Sequence, residues 1–196
     1  MSLSNTGHGT VEVLSQLLRD VDLIAAFGGH TVILPTQLVQ EHAWFRTTHG
    51  VLDSGLCWVS VPAGERSPTV RRGLLRSVLS ARLTMLEGLT AAAVLWLRDR
   101  TFGGQPIGRM QLVEGTVADI VQAVATSRQI LTSVDSDTVL RELSDMLARH
   151  ERNAMTLFGA SGYQRGHLPH QLMQLRFVAE SWIVRSDAGD TRKMAA

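Results

Sequence analysis

The sequence predicts a mainly α fold: an antiparallel four-helix bundle over residues 68–196, preceded by a small partial β segment over 21–67 and a leader over 1–20. Three observations predict it. Past Pro68, leucines recur at three- and four-residue steps, the spacing of one helical face. Clusters of Gly, Pro, Asp and Ser cut that stretch into four lengths. Upstream of Pro68 the texture changes to short β-rich runs that stop at Gly or Pro.

Taken in order, residues 1–10 are small and polar, and they lack the basic-then-apolar pattern of a secretory signal, so a loose leader is expected. Val21–Phe27 and Thr31–Leu34 flank Gly28-Gly29, which reads as two strands around a hairpin turn. A third strand is expected over Leu56–Val61, ending at Pro62. Three strands are too few to close a sheet core of their own, so the segment reads as part of a sheet domain leaning on something else. The first long helix carries Leu75, Leu79, Leu83, Leu86, Ala93 and Leu97 on one face and runs to about Asp99, before Gly103-Gly104-Gln105-Pro106. The second spans about 109–131, with Leu112, Val113, Val117, Ile120, Val121 and Val124 as its apolar stripe. Asp135-Ser136-Asp137 supplies N-cap chemistry for the third, 138–157. That helix is expected to bury Leu140, Leu143, Leu147 and Met155 and to turn Arg141, Glu142, Arg149 and Glu151 outward. Gly159–Gly162 breaks it, and Pro169 opens a fourth helix to Val184.

Composition bounds the function classes. With 44% hydrophobic residues the chain can bury a core, and its 19 basic and 18 acidic side chains nearly cancel. Lys193 is the only lysine, and no dense cationic run offers a nucleic-acid footprint; Arg71, Arg72 and Arg76 read as the solvated start of a helix. The single cysteine, Cys57, excludes an internal disulfide or a cysteine-based zinc site. No apolar stretch is expected to span a bilayer, and the chain reads as cytoplasmic. His167 and His170 straddle Pro169 without a third ligand at convincing spacing, so no metal is expected. There is no Gly-x-Ser-x-Gly elbow, and Cys57 has no partner placed by motif.

Two loops carry more information. One is Arg98-Asp99-Arg100-Thr101-Phe102-Gly103-Gly104-Gln105-Pro106-Ile107-Gly108-Arg109-Met110-Gln111, and the other is Phe158-Gly159-Ala160-Ser161-Gly162-Tyr163. In order and separation these resemble the C-terminal half of the acyl-CoA dehydrogenases. That family has an Arg before Phe-Gly, then Pro-Ile or Pro-Leu, then a Gln opening the next helix. A Gly-rich loop ending in an aromatic follows before the last helices. The stretch His167–Arg192 also resembles the tail of short actinobacterial members, and Val21–Ala63 resembles the last strands of the family's middle β domain, with Gly50-Val51-Leu52-Asp53 at a recurring turn.

The resemblance implies that Arg100, Phe102 and Gln111 reach an FAD shared with a neighbouring subunit, with Gly162 and Tyr163 keeping the second loop's shape. A guanidinium suits a pyrophosphate, and Gln offers both a donor and an acceptor. The alternative reading is local: Arg100 interacts with the end of its own helix and Gln111 caps the next. The sequence departs from the family by one extra residue in Phe102–Pro106, and by Thr156 and Ala160 where the family often has Gln and Gly. The family's α-proton abstraction needs a carboxylate. Its three base positions fall here near Arg185, at Ala81 and at Gly166, none of them acidic; Glu180 and Asp187 stand near the first. The resemblance therefore implies a subunit that is non-catalytic alone and works with a larger acyl-CoA dehydrogenase-like partner on an acyl thioester. The alternative is a structural or regulatory pseudoenzyme that self-associates through its helices.

Overall fold

A computed structural model describes residues 9–41, 46–52, 55–160 and 168–184. The elements run α1 (Thr10–Leu18), α2 (Leu23–Phe27), β1 (Thr31–Pro35), α3 (Thr36–Gln40), β2 (Arg46–Leu52), β3 (Leu56–Ser60), α4 (Pro68–Arg98), β4 (Thr101–Phe102), β5 (Gln105–Pro106), a 3₁₀ turn (Ile107–Arg109), α5 (Gln111–Ser133), α6 (Asp137–Thr156) and α7 (Leu168–Val184). The mainly α class holds, and the four long helices begin and end within a few residues of the expected positions. The described residues form two compact units. One contains 80–160 and 168–174; the other contains 9–41, 46–52, 55–79 and 175–184. Helices α4 and α7 each run through a division point.

The sheet-bearing unit departs from expectation in five places, one of them the unforeseen short helix α3, Thr36–Gln40. Thr10–Leu18, inside the expected leader, is helical and buries Leu14 and Leu18. Leu23–Phe27 is a helix and not a strand, because the Asp22 carboxylate accepts hydrogen bonds from the Ile24 and Ala25 amides, each at 3.0 Å. Gly28-Gly29 therefore joins a helix to a strand and is no hairpin turn. Gly28 permits a close approach, since a Cβ there would lie 2.7 Å from the Ile24 carbonyl oxygen, and Gly29 takes φ 77°. Finally, β2 was not foreseen, and it lies on the far side of β3 in the order β1-β3-β2. Both pairings are antiparallel, from Thr31↔Ser60 to Pro35↔Leu56 on one side and from Arg46↔Ser60 to Leu52↔Leu56, with two irregularities, on the other.

The edge of β1 away from β3 is closed by α7. The Ile33 amide donates to Ser181 Oγ at 3.2 Å, and Trp182 Nε1 donates to the Ile33 carbonyl at 3.1 Å. The Trp182 ring lies 5.3 Å from Phe27, and both are buried with Val32, Leu34, Val59, Leu75, Leu79 and Val178. One side chain of α7 thus satisfies an edge amide, the next an edge carbonyl, and the indole fills the core between them.

The helical unit is built on the part of α4 that carries Leu83, Leu86, Leu89, Ala93 and Leu97, all buried as their spacing predicts. Helices α5 and α6 pack on each other across a three-residue connection, 134–136, as an αα-hairpin. Leu140, Leu143, Leu147 and Met155 of α6 are buried as expected. Glu151 is not outward: it is 2% exposed and faces Arg82, which is 0% exposed. The guanidinium grips it with Nε to Oε1 at 2.8 Å and Nη2 to Oε2 at 2.9 Å, and Nη1 donates to Ser144 Oγ at 2.6 Å. Buried charge is tolerable because the pair is bidentate and the guanidinium also bonds the Ser144 hydroxyl and carbonyl. On α5 the expected stripe is only partly inward: Ile120 and Val124 are buried, whereas Leu112 is 87% and Val121 57% exposed.

Contrary to the sequence expectation, α4 is by length and composition apolar enough to cross a membrane. A long core helix passes the same test, and α4 buries its leucine face and Arg82 inside the protein.

Candidate functional site

The first informative loop folds as a tight β-hairpin. Thr101 pairs with Pro106 and Phe102 with Gln105, and Gly103 and Gly104 take φ 58° and 81° between them. Two consecutive positive-φ residues are what a two-residue hairpin turn demands, so the extra residue of this loop is absorbed in a regular turn. The Ile107 amide then donates to the Arg100 carbonyl at 2.8 Å and anchors the hairpin base.

Arg100 leaves the end of α4 with its Cζ 4.4 Å from the centre of the Trp96 ring, four residues earlier. That geometry is a cation–π contact. Trp96 in turn lies 6.3 Å from Phe158, the first residue of the second informative loop. The two loops are therefore joined through one indole, with Arg100 on it and Phe158 beside it. Trp96 Nε1 is buried without a hydrogen-bond partner among the described residues. Phe102 is 72% exposed on the hairpin. Gln111 is exposed as the first residue of α5, and the preceding Met110 provides no side-chain cap. Gln111 thus stands at an open helix N-terminus, where amides face outward.

The other candidates fall elsewhere. Glu180 accepts a hydrogen bond from Arg176 Nε at 2.6 Å in an i,i+4 ion pair on α7. Asp187, Gly162 and Tyr163 lie outside the described residues, as do His167 and the positions of Gly166 and Arg185. Ala81 is on α4 beside Arg82, so the acid-bearing position of the resemblance is occupied by a methyl group next to a buried guanidinium. Cys57 is buried, its Sγ donating to the Leu34 carbonyl at 3.7 Å, and burial pushes the thiol up against a smaller opposing effect of the Thr36 hydroxyl. It is unsuited to nucleophilic work. Among the described residues no cluster of His, Cys, Asp and Glu could hold a metal ion.

Sequence reasoning missed Trp96 and Phe158 as supports of Arg100, although Trp96 at i−4 was a legible signal. It also missed the pairing of Arg82 with Glu151.

No protein-family model matches the chain, and no curated protein matches it. Solved structures do. A butyryl-CoA dehydrogenase from Megasphaera elsdenii aligns over 70% of this chain and 45% of its own at 19% identity, TM-score 0.52. An acyl-CoA dehydrogenase from Geobacillus kaustophilus aligns over 80% and 50% at 16% identity, TM-score 0.51. An electron transferring flavoprotein structure of Acidaminococcus fermentans aligns over 81% and 55% at 18% identity, TM-score 0.54. The chain spans about half the length of these proteins. At such identities the likeness is one of architecture, and the architecture of this chain is acyl-CoA dehydrogenase-like, mainly α.

Proposed function

We propose that this chain is a subunit of a heteromeric, flavin-dependent oxidoreductase acting on a CH–CH bond of an acyl thioester. It is non-catalytic alone and lends residues to an FAD shared with a larger acyl-CoA dehydrogenase-like partner. The single observation that carries the reading is the Arg100–Trp96–Phe158 arrangement, which holds an exposed guanidinium at the junction of the two informative loops.

The residues present fit such a group. Arg100 is solvent-facing and pre-positioned by Trp96, so pairing with a pyrophosphate costs little additional side-chain ordering. Gln111 and the uncapped start of α5 offer further donors. When bound, the flavin supplies the hydride acceptor. This chain's part is confined to holding anionic and polar atoms of the cofactor. Glu180 is engaged with Arg176, and the position beside Arg82 is Ala81, so the α-proton is assigned to a base on the partner.

The test is co-purification with a larger acyl-CoA dehydrogenase-like chain, read by visible absorption and by mass. A yellow complex is expected from the two chains, and none from this chain alone. Arg100→Ala should cut flavin affinity roughly tenfold to a hundredfold, the worth of one charge-assisted hydrogen bond. A complex that keeps its flavin equally well without the guanidinium sinks the proposal.

A further inference from the structure

Within the sheet-bearing unit, the turn after α2, Gly28-Gly29-His30, lies against the loop 61–67 that leads into α4. Backbone hydrogen bonds knit the two together. The Gly29 amide donates to the Val61 and Pro62 carbonyls, each at 3.1 Å, and the Val61 amide donates to the His30 carbonyl at 2.9 Å. Further along, the Ser67 amide donates to the Ala25 carbonyl at 2.8 Å, and the Arg71 amide to the Ser67 carbonyl at 3.1 Å. Glycines make the fit possible: a Cβ on Gly64 would collide with the Ile24 side chain, and one on Gly28 would lie 3.1 Å from the Gly64 carbonyl oxygen. The side chains of His30 and Arg66 therefore start from a fixed backbone.

On this platform Arg66 Nη1 and His30 Nε2 meet at 2.6 Å. A guanidinium only donates, so the imidazole accepts at Nε2 and carries its proton on Nδ1. Among the described residues, Arg66 makes no hydrogen bond or ion pair besides this one. The adjacent Glu65 is exposed and makes no ion pair with it, and the first turn of α4 has no acidic residue. Burial, and then the charges of Arg66 and Arg71, hold the His30 pKa below the ordinary imidazole value. Two guanidinium charges thus bear on one neutral ring, an arrangement that an anion would relieve.

The remaining donors define the ligand. Arg66 is exposed and keeps the rest of its fork for a second partner. The imidazole can take up a proton and donate as well, once an anion offsets the field around it. A fork beside further positive charge suits an anion with several oxygens, and two guanidinium charges match a phosphate dianion better than a single carboxylate. We infer that His30 and Arg66, flanked by Arg71, form a phosphate-binding site on the sheet-bearing unit, which takes either inorganic phosphate or the phosphate of a monoester. None of these residues belongs to the Arg100–Trp96–Phe158 arrangement, so the site stands or falls without flavin.

The test is titration of the full chain with sodium phosphate at constant ionic strength, followed by calorimetry and by the His30 ring signals in NMR spectra. His30→Gln identifies those signals among the seven histidines. A saturable shift is expected, with His30 protonating at a higher pH in phosphate than in chloride, because the bound anion offsets the charges of Arg66 and Arg71. Arg66→Gln should weaken phosphate binding by roughly tenfold or more, and Arg66→Lys, which keeps the charge but not the fork, should weaken it less. Circular dichroism checks folding, which both variants should keep, since Arg66 is exposed and the backbone bonds of the platform do not involve its side chain. Arg152→Gln, at an exposed position of α6, should change nothing. Adenosine 5′-monophosphate distinguishes the source: tighter binding than inorganic phosphate assigns the site to a monoester, and equal or weaker binding assigns it to the inorganic ion. A shift that never saturates and is reproduced by sodium chloride overturns the inference, as does a phosphate affinity unchanged by Arg66→Gln.

Discussion

Arg82→Ala is expected to destabilise the protein by about 3–5 kcal/mol, enough to unfold the helical unit or leave it marginal. The size follows from what stays behind. Glu151 is almost fully buried, and its two carboxylate oxygens have Arg82 as their ion-pair partner, while Ser144 Oγ also loses the short contact to Nη1. An uncompensated carboxylate in the core costs far more than the intact pair contributes. The double replacement Arg82→Met with Glu151→Leu is therefore expected to recover most of the loss, because it removes both charges and keeps side-chain volume. Urea unfolding of the single and double variants measures this. A double variant as unstable as Arg82→Ala would show that the pair's geometry, and not its charge balance, holds α4 to α6.

Trp182→Ala should cost about 3–5 kcal/mol in the sheet-bearing unit, the usual price of deleting a large buried aromatic. Here the cavity comes with a polar defect: the Ile33 carbonyl loses its indole donor, and Phe27 loses its ring neighbour. Trp182→Phe isolates the polar part, since most of the packing is retained, and should cost about 1–3 kcal/mol. Hydrogen exchange is the informative readout. Amides of β1 and β3 are expected to lose protection first, while those of α5 and α6 keep theirs. Equal loss in both units would mean that they do not open separately.

The long helices were legible because each repeats its apolar residues over several turns, so the period survives a few exceptions. Short segments give no such averaging. Leu23–Phe27 is as apolar as a strand, and only the Asp22 cap distinguishes it as a helix. Strand β2, Arg46–Leu52, has little apolar content to mark it, although its partner β3 begins only four residues later, at Leu56. Glu151 illustrates a different blindness. It falls on the stripe of Leu147 and Met155 at four-residue steps, so its inward position was written in the spacing, but polar type was read as outward direction. The Arg82 that makes burial possible lies 69 residues away. The same holds for the candidate site: Arg100 and Phe102 could be picked by motif and Trp96 by its i−4 position. Contact between Trp96 and Phe158, 62 residues on, needed the fold (158 − 96 = 62). Glu180 was legible as either an acid or a salt-bridge partner, and Arg176 one turn earlier answers which geometry it adopts.

The closure of β1 by α7 has a consequence for how the chain is made. The hydrogen bond from Trp182 to Ile33 joins residues 149 apart. A ribosome delivers β1 early and the helix that seals it late, after the whole α5–α6 hairpin has emerged. Until then the strand offers bare amides and carbonyls to any neighbouring nascent chain, the state in which edge-to-edge misassembly begins. Slowing translation should therefore leave this protein vulnerable for longer, and a holdase that shields the first eighty or so residues should raise its yield more than one that acts after release.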